Sequence, residues 1–142
     1  MKLTLFTDYS MRVLLYLAAR SDRLCSIAEV AGAYRISQNH LMKVVNELAR
    51  SGYVESVRGR FGGIRLGKPP EEINVGELIR HTEDGFDLVD CGSCVIAPAC
   101  GMTGVLNEAL SAFLAVLDRY TLADLMTNPQ DLKRLLGGEL AG

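Results

Sequence analysis

The fold is decided by residues 26–66, which read SIAEVAGAYRISQNHLMKVVNELARSGYVESVRGRFGGIRL. Two amphipathic stretches come first, and each is opened by a serine, Ser26 or Ser37, a residue type favoured at helix N-caps. The second stretch ends at Gly52 and is followed by two short strands, at 53–57 and 64–66. The turn between the strands is rich in glycine and carries two arginines. This order predicts two short helices and a basic β-hairpin.

A further helix is predicted before this stretch, ending at about Arg20. Thr7 is its expected N-cap, and Asp8 lies in the first turn, where a carboxylate suits the helix dipole. Apolar residues follow at helical spacing: Met11, Leu14, Leu15, Leu17 and Ala18. Three short, tightly linked helices and then a basic hairpin indicate a mainly α protein with a winged helix-turn-helix.

The chain after the hairpin is expected to serve a different purpose. Pro69-Pro70 ends the first unit, Asn74 opens a short helix, and residues 83–101 form a long loop without periodicity. The longest helix is predicted over 102–120. Its apolar face is wide for a monomer, which favours dimerisation. We therefore divide the chain into a DNA-binding domain (1–68), a short helix and cysteine loop (69–101), and a dimerisation helix with C-terminal turns (102–142).

Charge is distributed unevenly along the 142 residues. The net charge is −2, but residues 1–68 carry 11 Lys and Arg against 5 Asp and Glu, whereas residues 69–142 carry 4 against 12. A basic first half indicates a polyanionic partner. The length excludes a multidomain enzyme, and no enzymatic activity is predicted. The apolar run 13–19 is too short to span a membrane, and Asp8 and Arg12 interrupt any signal-peptide core, so we expect a cytoplasmic protein.

The second helix of a helix-turn-helix enters the major groove with its N-terminal turns. In this chain those turns carry Gln38, Asn39, His40 and Lys43. Gln and Asn can pair with adenine, and Lys can reach guanine or phosphate. In the hairpin, Arg58 and Arg60 are suited to a minor groove. The alternative is an ordinary solvated helix face, but the basic hairpin favours duplex DNA as the partner.

Three of the four cysteines lie within ten residues, at Cys91, Cys94 and Cys100. A structural zinc site normally uses four Cys or His ligands, and this loop offers three cysteines and no histidine. An iron–sulfur cluster also takes four ligands but accepts a non-cysteine fourth. Unliganded surface thiols remain the third alternative. Cys25 stands apart and is expected to be a small buried residue.

Several motifs together resemble those of a known family. They are Leu3-Thr4, Phe6-Thr7-Asp8-Tyr9, Arg12-Val13-Leu14, the run from Ile36 to Val45, Val57-Arg58-Gly59-Arg60 with Gly62-Gly63, and the cysteine loop. With these motifs the chain resembles the Rrf family of bacterial winged-helix regulators over nearly its whole length. It departs from the family pattern in that only two residues separate Cys91 and Cys94.

The resemblance implies a homodimer whose long C-terminal helices cross. It also implies one 4Fe-4S cluster per subunit, with a 2Fe-2S cluster as the alternative, held by Cys91, Cys94, Cys100 and Asp8 of the partner subunit. From the residues alone, Asp8 is better explained as a residue that favours the start of a helix, and only the resemblance reverses that preference. A carboxylate binds iron more weakly than a thiolate, so Asp8 would mark the reactive iron.

The function implied is that of a repressor that binds operator DNA and is released when nitric oxide attacks the cluster. The segment Phe6-Thr7-Asp8-Tyr9 favours the nitric-oxide sensors of the family over its iron and iron–sulfur-status regulators, which stay as the alternative. A small redox protein is a rival from another class, although electron transfer does not require a basic wing. A zinc-stabilised DNA-binding protein is the last alternative.

Overall fold

The computed structural model describes residues 2–137 and confirms a mainly helical winged helix-turn-helix protein. Its elements are, in chain order, α1 (Leu5–Ala19), α2 (Ile27–Tyr34), α3 (Gln38–Arg50), β1 (Val54–Val57), β2 (Gly63–Leu66), α4 (Val75–Thr82), α5 (Met102–Leu117), α6 (Leu122–Leu125) and α7 (Pro129–Leu135). Single 3₁₀ turns lie at Pro70–Glu72 and Ala97–Ala99. None of the helices in this part of the chain is long and apolar enough to cross a membrane. The three-part division proposed above stays a prediction, and the last five residues of its third part lie outside the described residues.

Helix α1 begins three residues earlier than the sequence suggested. Thr4 has the extended backbone of an N-cap, and its side chain accepts a hydrogen bond from the Thr7 backbone N–H at 3.3 Å. The prediction that Thr7 is the cap was therefore wrong. Thr7 lies inside the helix, is 1% exposed, and bonds to the Thr82 hydroxyl of α4 at 2.8 Å. The contact with Thr82 thus explains why Thr7 lies inside the helix and does not cap it.

The helix-turn-helix and the wing match the prediction. Ser26 and Ser37 are the N-caps of α2 and α3, and Arg35 makes the turn between them in the left-handed conformation (φ 58°). Strands β1 and β2 pair antiparallel, with Val57 opposite Gly63. Cys25 is 1% exposed, which confirms it as a buried residue, and its backbone pairs with that of Ile64. This bridge fixes the root of the wing to the segment before α2.

Helix α5 is the longest helix, but it ends at Leu117 and not at Tyr120. Beyond it the chain turns back onto the start of α4, where the Tyr120 carbonyl accepts from the Val75 backbone N–H at 2.9 Å. Asp118 also pairs with Arg80 of α4. A Cβ on Gly76 would lie 2.9 Å from the Asp118 backbone nitrogen, so the close approach of the two helices favours glycine here. The contacts with α4 therefore decide where α5 ends.

A polar network stabilises the link between α1 and α2. Glu29 accepts hydrogen bonds from Arg23 at 2.7 and 2.9 Å, from the Ser26 backbone N–H at 2.8 Å and from the Tyr16 hydroxyl at 2.8 Å. The Arg23 guanidinium, followed by the other donors, lowers the pKa of Glu29 to about 2. Burial, followed by the bond to Glu29, raises the pKa of Tyr16 to about 12. The ionised carboxylate is thus strongly favoured in the folded chain.

Replacing Glu29 with glutamine should lower the free energy of unfolding by about 1–2 kcal/mol at pH 7, because charge-assisted hydrogen bonds are lost. The pKa of Glu29 falls from 4.5 to about 2 on folding. Its carboxylate therefore stabilises the fold fully above pH 4.5, and this contribution is lost as the pH falls towards 2. In urea denaturation, the difference in free energy of unfolding between the unmodified protein and Glu29→Gln should shrink as the pH falls across that range.

Glu47→Gln, which breaks an exposed pair with Arg50, is the control and should change stability by less than about 0.5 kcal/mol. A difference independent of pH would contradict the assignment.

Candidate DNA-binding surface and cysteine loop

The N-terminal turns of α3 present a polar surface to solvent. Gln38, Asn39 and Lys43 are exposed, as groups that contact a groove must be. His40 differs from them because its ring is half-buried, edge-on to the ring of Tyr9 in α1 with a centroid distance of 4.8 Å. The structure therefore brings all four predicted residues to one helix end. His40 lies closest to the core of the domain.

The wing presents two cations at its tip. Arg58 and Arg60 are exposed, and neither forms an ion pair with any residue between 2 and 137. Arg65 on β2 is different, since it pairs across the hairpin with Glu55 at 2.7 Å. The charge of Arg65 is thus largely balanced within the sheet. Arg58 and Arg60 are left to meet an external anion.

The three loop cysteines are free thiols in a chain of tight turns between α4 and α5. Cys94 is exposed, whereas Cys91 and Cys100 are half-buried. The Cys94 backbone N–H donates to the Cys91 carbonyl at 3.3 Å, which closes the first turn. The Cys91 sulfur lies 2.9 Å from the Thr103 hydroxyl, and the Met102 backbone N–H donates to the Cys100 sulfur at 3.4 Å. Both outer thiols therefore contact the first turn of α5.

The donor set of this loop fits an iron–sulfur cluster better than zinc, because three thiols are offered and no histidine lies near them in the sequence. Residues 2–137 hold no group of three Cys, His, Asp or Glu side chains close enough together to bind a metal ion. A cavity of about 570 Å³ separates residues 86–92 from α5, with Cys91 in its lining. The choice of ligands stays a prediction.

Asp8 lies on α1 and is engaged within its own helix. Its carboxylate accepts from Arg12 at 2.8 and 3.2 Å, and both side chains are about two-fifths exposed. The bond to Asp8 raises the pKa of Arg12. The guanidinium also lies 5.8 Å from the Tyr9 ring centroid and 5.7 Å from that of Tyr34. A second chain could therefore reach Asp8, but a ligand that bound its carboxylate would have to replace the ion pair with Arg12.

Glu83, the first residue of the cysteine loop, was missed by the sequence analysis. Its carboxylate accepts from the Thr4 backbone N–H at 2.9 Å, from the Thr4 hydroxyl at 2.7 Å and from the Thr7 hydroxyl. Partial burial opposes ionisation of Glu83, but the bonds from Thr7 and Thr4 outweigh it and lower its pKa. No local pattern marks this contact, because the partners are nearly 80 residues apart in the chain.

Two other residues were missed for different reasons. Thr103 is an ordinary polar residue at the start of a helix, and only the structure shows its contact with Cys91. Phe61 did carry a signal, since a large apolar residue in a glycine-rich turn is unusual. It is 86% exposed.

The chain is similar over almost its whole length to proteins named HTH-type transcriptional regulator NsrR. It is 57% identical to that of Bacillus subtilis, over 96% of this chain and 97% of the relative. It is 56% identical to that of Bacillus licheniformis, over 96% of this chain and 99% of the relative. Both relatives are thus matched from end to end.

Solved structures show the same fold. The chain matches T. potens IscR with a TM-score of 0.74 at 25% identity, covering 98% of this chain and 93% of that one. It matches CymR of B. subtilis, described as its global cysteine regulator, with a TM-score of 0.71 at 26% identity, covering 88% and 95%.

The family model Rrf2, described as an iron-dependent transcriptional regulator, matches residues 3–128. That span includes the helix-turn-helix, the wing, the cysteine loop and α5. The predicted regulatory function and the resemblance drawn from the motifs are both confirmed by these relatives. The chain therefore belongs to the Rrf2 family of transcriptional regulators.

Proposed function

We propose that this protein is a homodimeric repressor that binds operator DNA with an iron–sulfur cluster in each subunit and is released from DNA by nitric oxide. The observation that carries the proposal is the identity of 56–57%, from end to end, with regulators named NsrR. The three free thiols of the loop and the unpaired arginines of the wing agree with it.

DNA contact divides between the wing and α3. Gln38 and Asn39 read base edges in the major groove, with His40 and Lys43 beside them. Arg58 and Arg60 hold the wing along the phosphates or in a minor groove, where a cation gains from the strong negative potential. The two surfaces therefore separate sequence reading from positioning.

The cluster-binding groups are Cys91, Cys94 and Cys100, with Asp8 of the partner subunit as the fourth. A 4Fe-4S cluster bound there would supply an iron that reacts with nitric oxide. Asp8 is suited to a labile bond, because its carboxylate is exposed and Arg12 of its own helix competes for it. Loss of the bond to Asp8 would free α1 of one subunit from the cysteine loop of the other.

Dimerisation is assigned to α5. None of its residues is buried in the single chain. One face, with Leu106, Leu110 and Phe113, lines a second cavity, whose other walls come from Lys2, Leu3 and the segment 83–88. A second stripe at coiled-coil spacing is exposed, at Val105, Ala109, Ala112 and Val116, and of these Ala109 also lines that cavity. A second copy of the helix would cover this stripe.

Regulation by iron status is the second candidate. The description of the matching family model, an iron-dependent transcriptional regulator, favours it. The two are separated by adding nitric oxide or an iron chelator to the anaerobic protein and measuring operator affinity. A response to the chelator alone would favour the iron-status regulator.

The first prediction concerns the dimer. Replacing Val105 and Val116 together with Glu should give monomers in sedimentation velocity, because four like charges would face each other in the interface. Val105 is 60% exposed and Val116 46%, so neither change disturbs the core of the single chain. Ser111→Glu, on the opposite side of α5, is the matched control and should stay dimeric. A dimer that survives the double change would place the interface elsewhere.

The second prediction separates reading from positioning. Gln38→Ala should cost about 1–3 kcal/mol on the preferred duplex and little on random DNA, since a base contact is lost. The duplex is one that the unmodified protein selects from a random pool, and affinity is measured by fluorescence anisotropy. Gln130→Ala, the same change at an exposed residue of α7, serves as the control. Equal losses on selected and random DNA would argue against this placement of α3.

The third prediction concerns the cluster. Cys91→Ala, Cys94→Ala and Cys100→Ala should each abolish the visible charge-transfer absorption of the anaerobically purified protein and its bound iron and sulfide. Cys25→Ala, at a buried site away from the loop, should retain them. Retention of the full chromophore by any of the three loop variants would remove that cysteine from the ligand set.

The same measurements test Asp8. Asp8→Ala should keep an absorbing cluster on three thiolates, with an altered spectrum, and should weaken the effect of nitric oxide on DNA affinity. If an intact cluster tightens DNA binding by about 100-fold, the coupling at stake is roughly 2.7 kcal/mol. Asp22→Ala, an exposed carboxylate in the α1–α2 link, is the control. An unchanged spectrum together with an unchanged response would return Asp8 to a role in helix α1 alone.

A further inference from the structure

We infer that Phe61 at the tip of the wing is a DNA-contacting residue, whose ring enters the minor groove beside Arg60 and packs against the deoxyribose walls. The inference rests on the DNA binding proposed above and adds to it an apolar contact. It differs in kind from the contacts of Arg58 and Arg60, which are electrostatic.

The exposure of Phe61 sets it apart from the other aromatic residues. Its side chain is 86% exposed, whereas the other three phenylalanines, Phe6, Phe86 and Phe113, are half-buried. Within residues 2–137, the only aromatic or cationic contact of the ring is the guanidinium of Arg60, 5.5 Å from its centroid. Because the ring is so little buried, it contributes almost nothing to the stability of the fold.

The turn holds Phe61 in this position. The Gly62 backbone N–H donates to the Gly59 carbonyl at 3.0 Å, so Arg60 and Phe61 are the two central residues of the turn. Gly59 has a φ of +108°, which favours glycine. A Cβ on Gly62 would lie 2.0 Å from the Val57 carbonyl oxygen. These constraints leave Arg60 and Phe61 as the side chains at the tip.

The root of the wing is also fixed. Cys25 and Ile64 exchange backbone hydrogen bonds of 2.9 and 2.7 Å, which join β2 to the segment before α2. A Cβ on Gly63 would lie 2.6 Å from the Cys25 carbonyl oxygen. The position of the tip relative to α3 is therefore set by backbone contacts. A fixed tip can enter a groove without a large ordering cost.

The residues beside Phe61 indicate the class of molecule that its ring contacts. A protein-binding patch would surround the ring with further apolar side chains, but here the flanking residues of the turn are arginines and glycines. A minor groove combines anionic phosphates with apolar sugar walls, and apolar wedges such as Phe are used there by many DNA-binding proteins. A narrow groove also attracts the adjacent guanidinium. A cation beside an exposed ring thus matches duplex DNA.

The test compares Phe61→Ala, Phe61→Leu and Arg60→Ala on a duplex that the unmodified protein selects from a random pool. Phe61→Ala should weaken binding by about tenfold at every salt concentration, and Phe61→Leu by less, because leucine keeps apolar bulk. The slope of log K against log salt should be unchanged in both. Arg60→Ala should instead reduce that slope by about 0.9, since one phosphate contact is lost. Phe61→Ala that binds within twofold of the unmodified protein would overturn the inference.

A second variant reports the environment of the ring directly. The chain contains no tryptophan but five tyrosines, so Phe61→Trp introduces a single tryptophan at the tip of the wing, which can be excited selectively at the red edge of the absorption band. Its emission should shift and be quenched when the selected duplex binds, and a minor-groove ligand such as distamycin should compete with that change. Unaltered emission while anisotropy reports a bound duplex would overturn the inference.

The outcomes separate this inference from the proposed function. If the unmodified protein selects no duplex, the proposed DNA binding fails and the contact of Phe61 fails with it. In a second case, the protein selects a duplex and Gln38→Ala weakens binding to it, but Phe61→Ala does not. In that case the proposed DNA binding stands and only the contact of Phe61 is wrong.

Discussion

The burial of helix α1 at the centre of the chain is the constraint on which the other elements depend. Val13, Leu14 and Leu17 are at most 2% exposed. Helices α3, α4, α6 and α7 and strand β2 all pack against α1. Burying three such side chains contributes several kcal/mol, of the order of the whole stability of a small domain. A shift of α1 would therefore move α3 and the wing together, and under the proposed function α1 would be the element on which the cluster acts.

Polar contacts connect this central helix to the cysteine loop. Glu83 begins the loop and caps the first turn of α1 through Thr4, while Thr7 bonds to Thr82 at the end of α4. Asp8 is the next residue after Thr7 on the same helix. In the proposed dimer, α1 would thus contact its own cysteine loop through Glu83 and the loop of its partner through Asp8. The conformations of both cysteine loops would therefore influence the position of α1.

The sequence predicted best those features whose causes are local. Ser26 and Ser37 cap their helices within three residues, and the glycines of the wing act within one turn, so α2, α3 and the hairpin were placed closely. The predicted helix ends were wrong where contacts with residues distant in the chain determine them. The local pattern predicts Thr7 as the cap because the partner of Thr7, Thr82, is distant in the chain, and it predicts too long an α5 because contacts with α4 set the end of that helix. The cysteine ligands were proposed from residue type and family motifs, and their convergence depends on the loop conformation.

The separation of charge along the chain has a consequence for how DNA is approached. Lys43, Arg58 and Arg60 lie exposed on α3 and the wing, whereas the cysteine loop carries Asp84, Asp87 and Asp90. Phosphates attract the first surface and repel the second over about 8 Å at physiological salt. In the proposed complex, this field would favour an approach to DNA with α3 and the wing foremost. Base contacts from α3 would then set the register of the protein on the duplex.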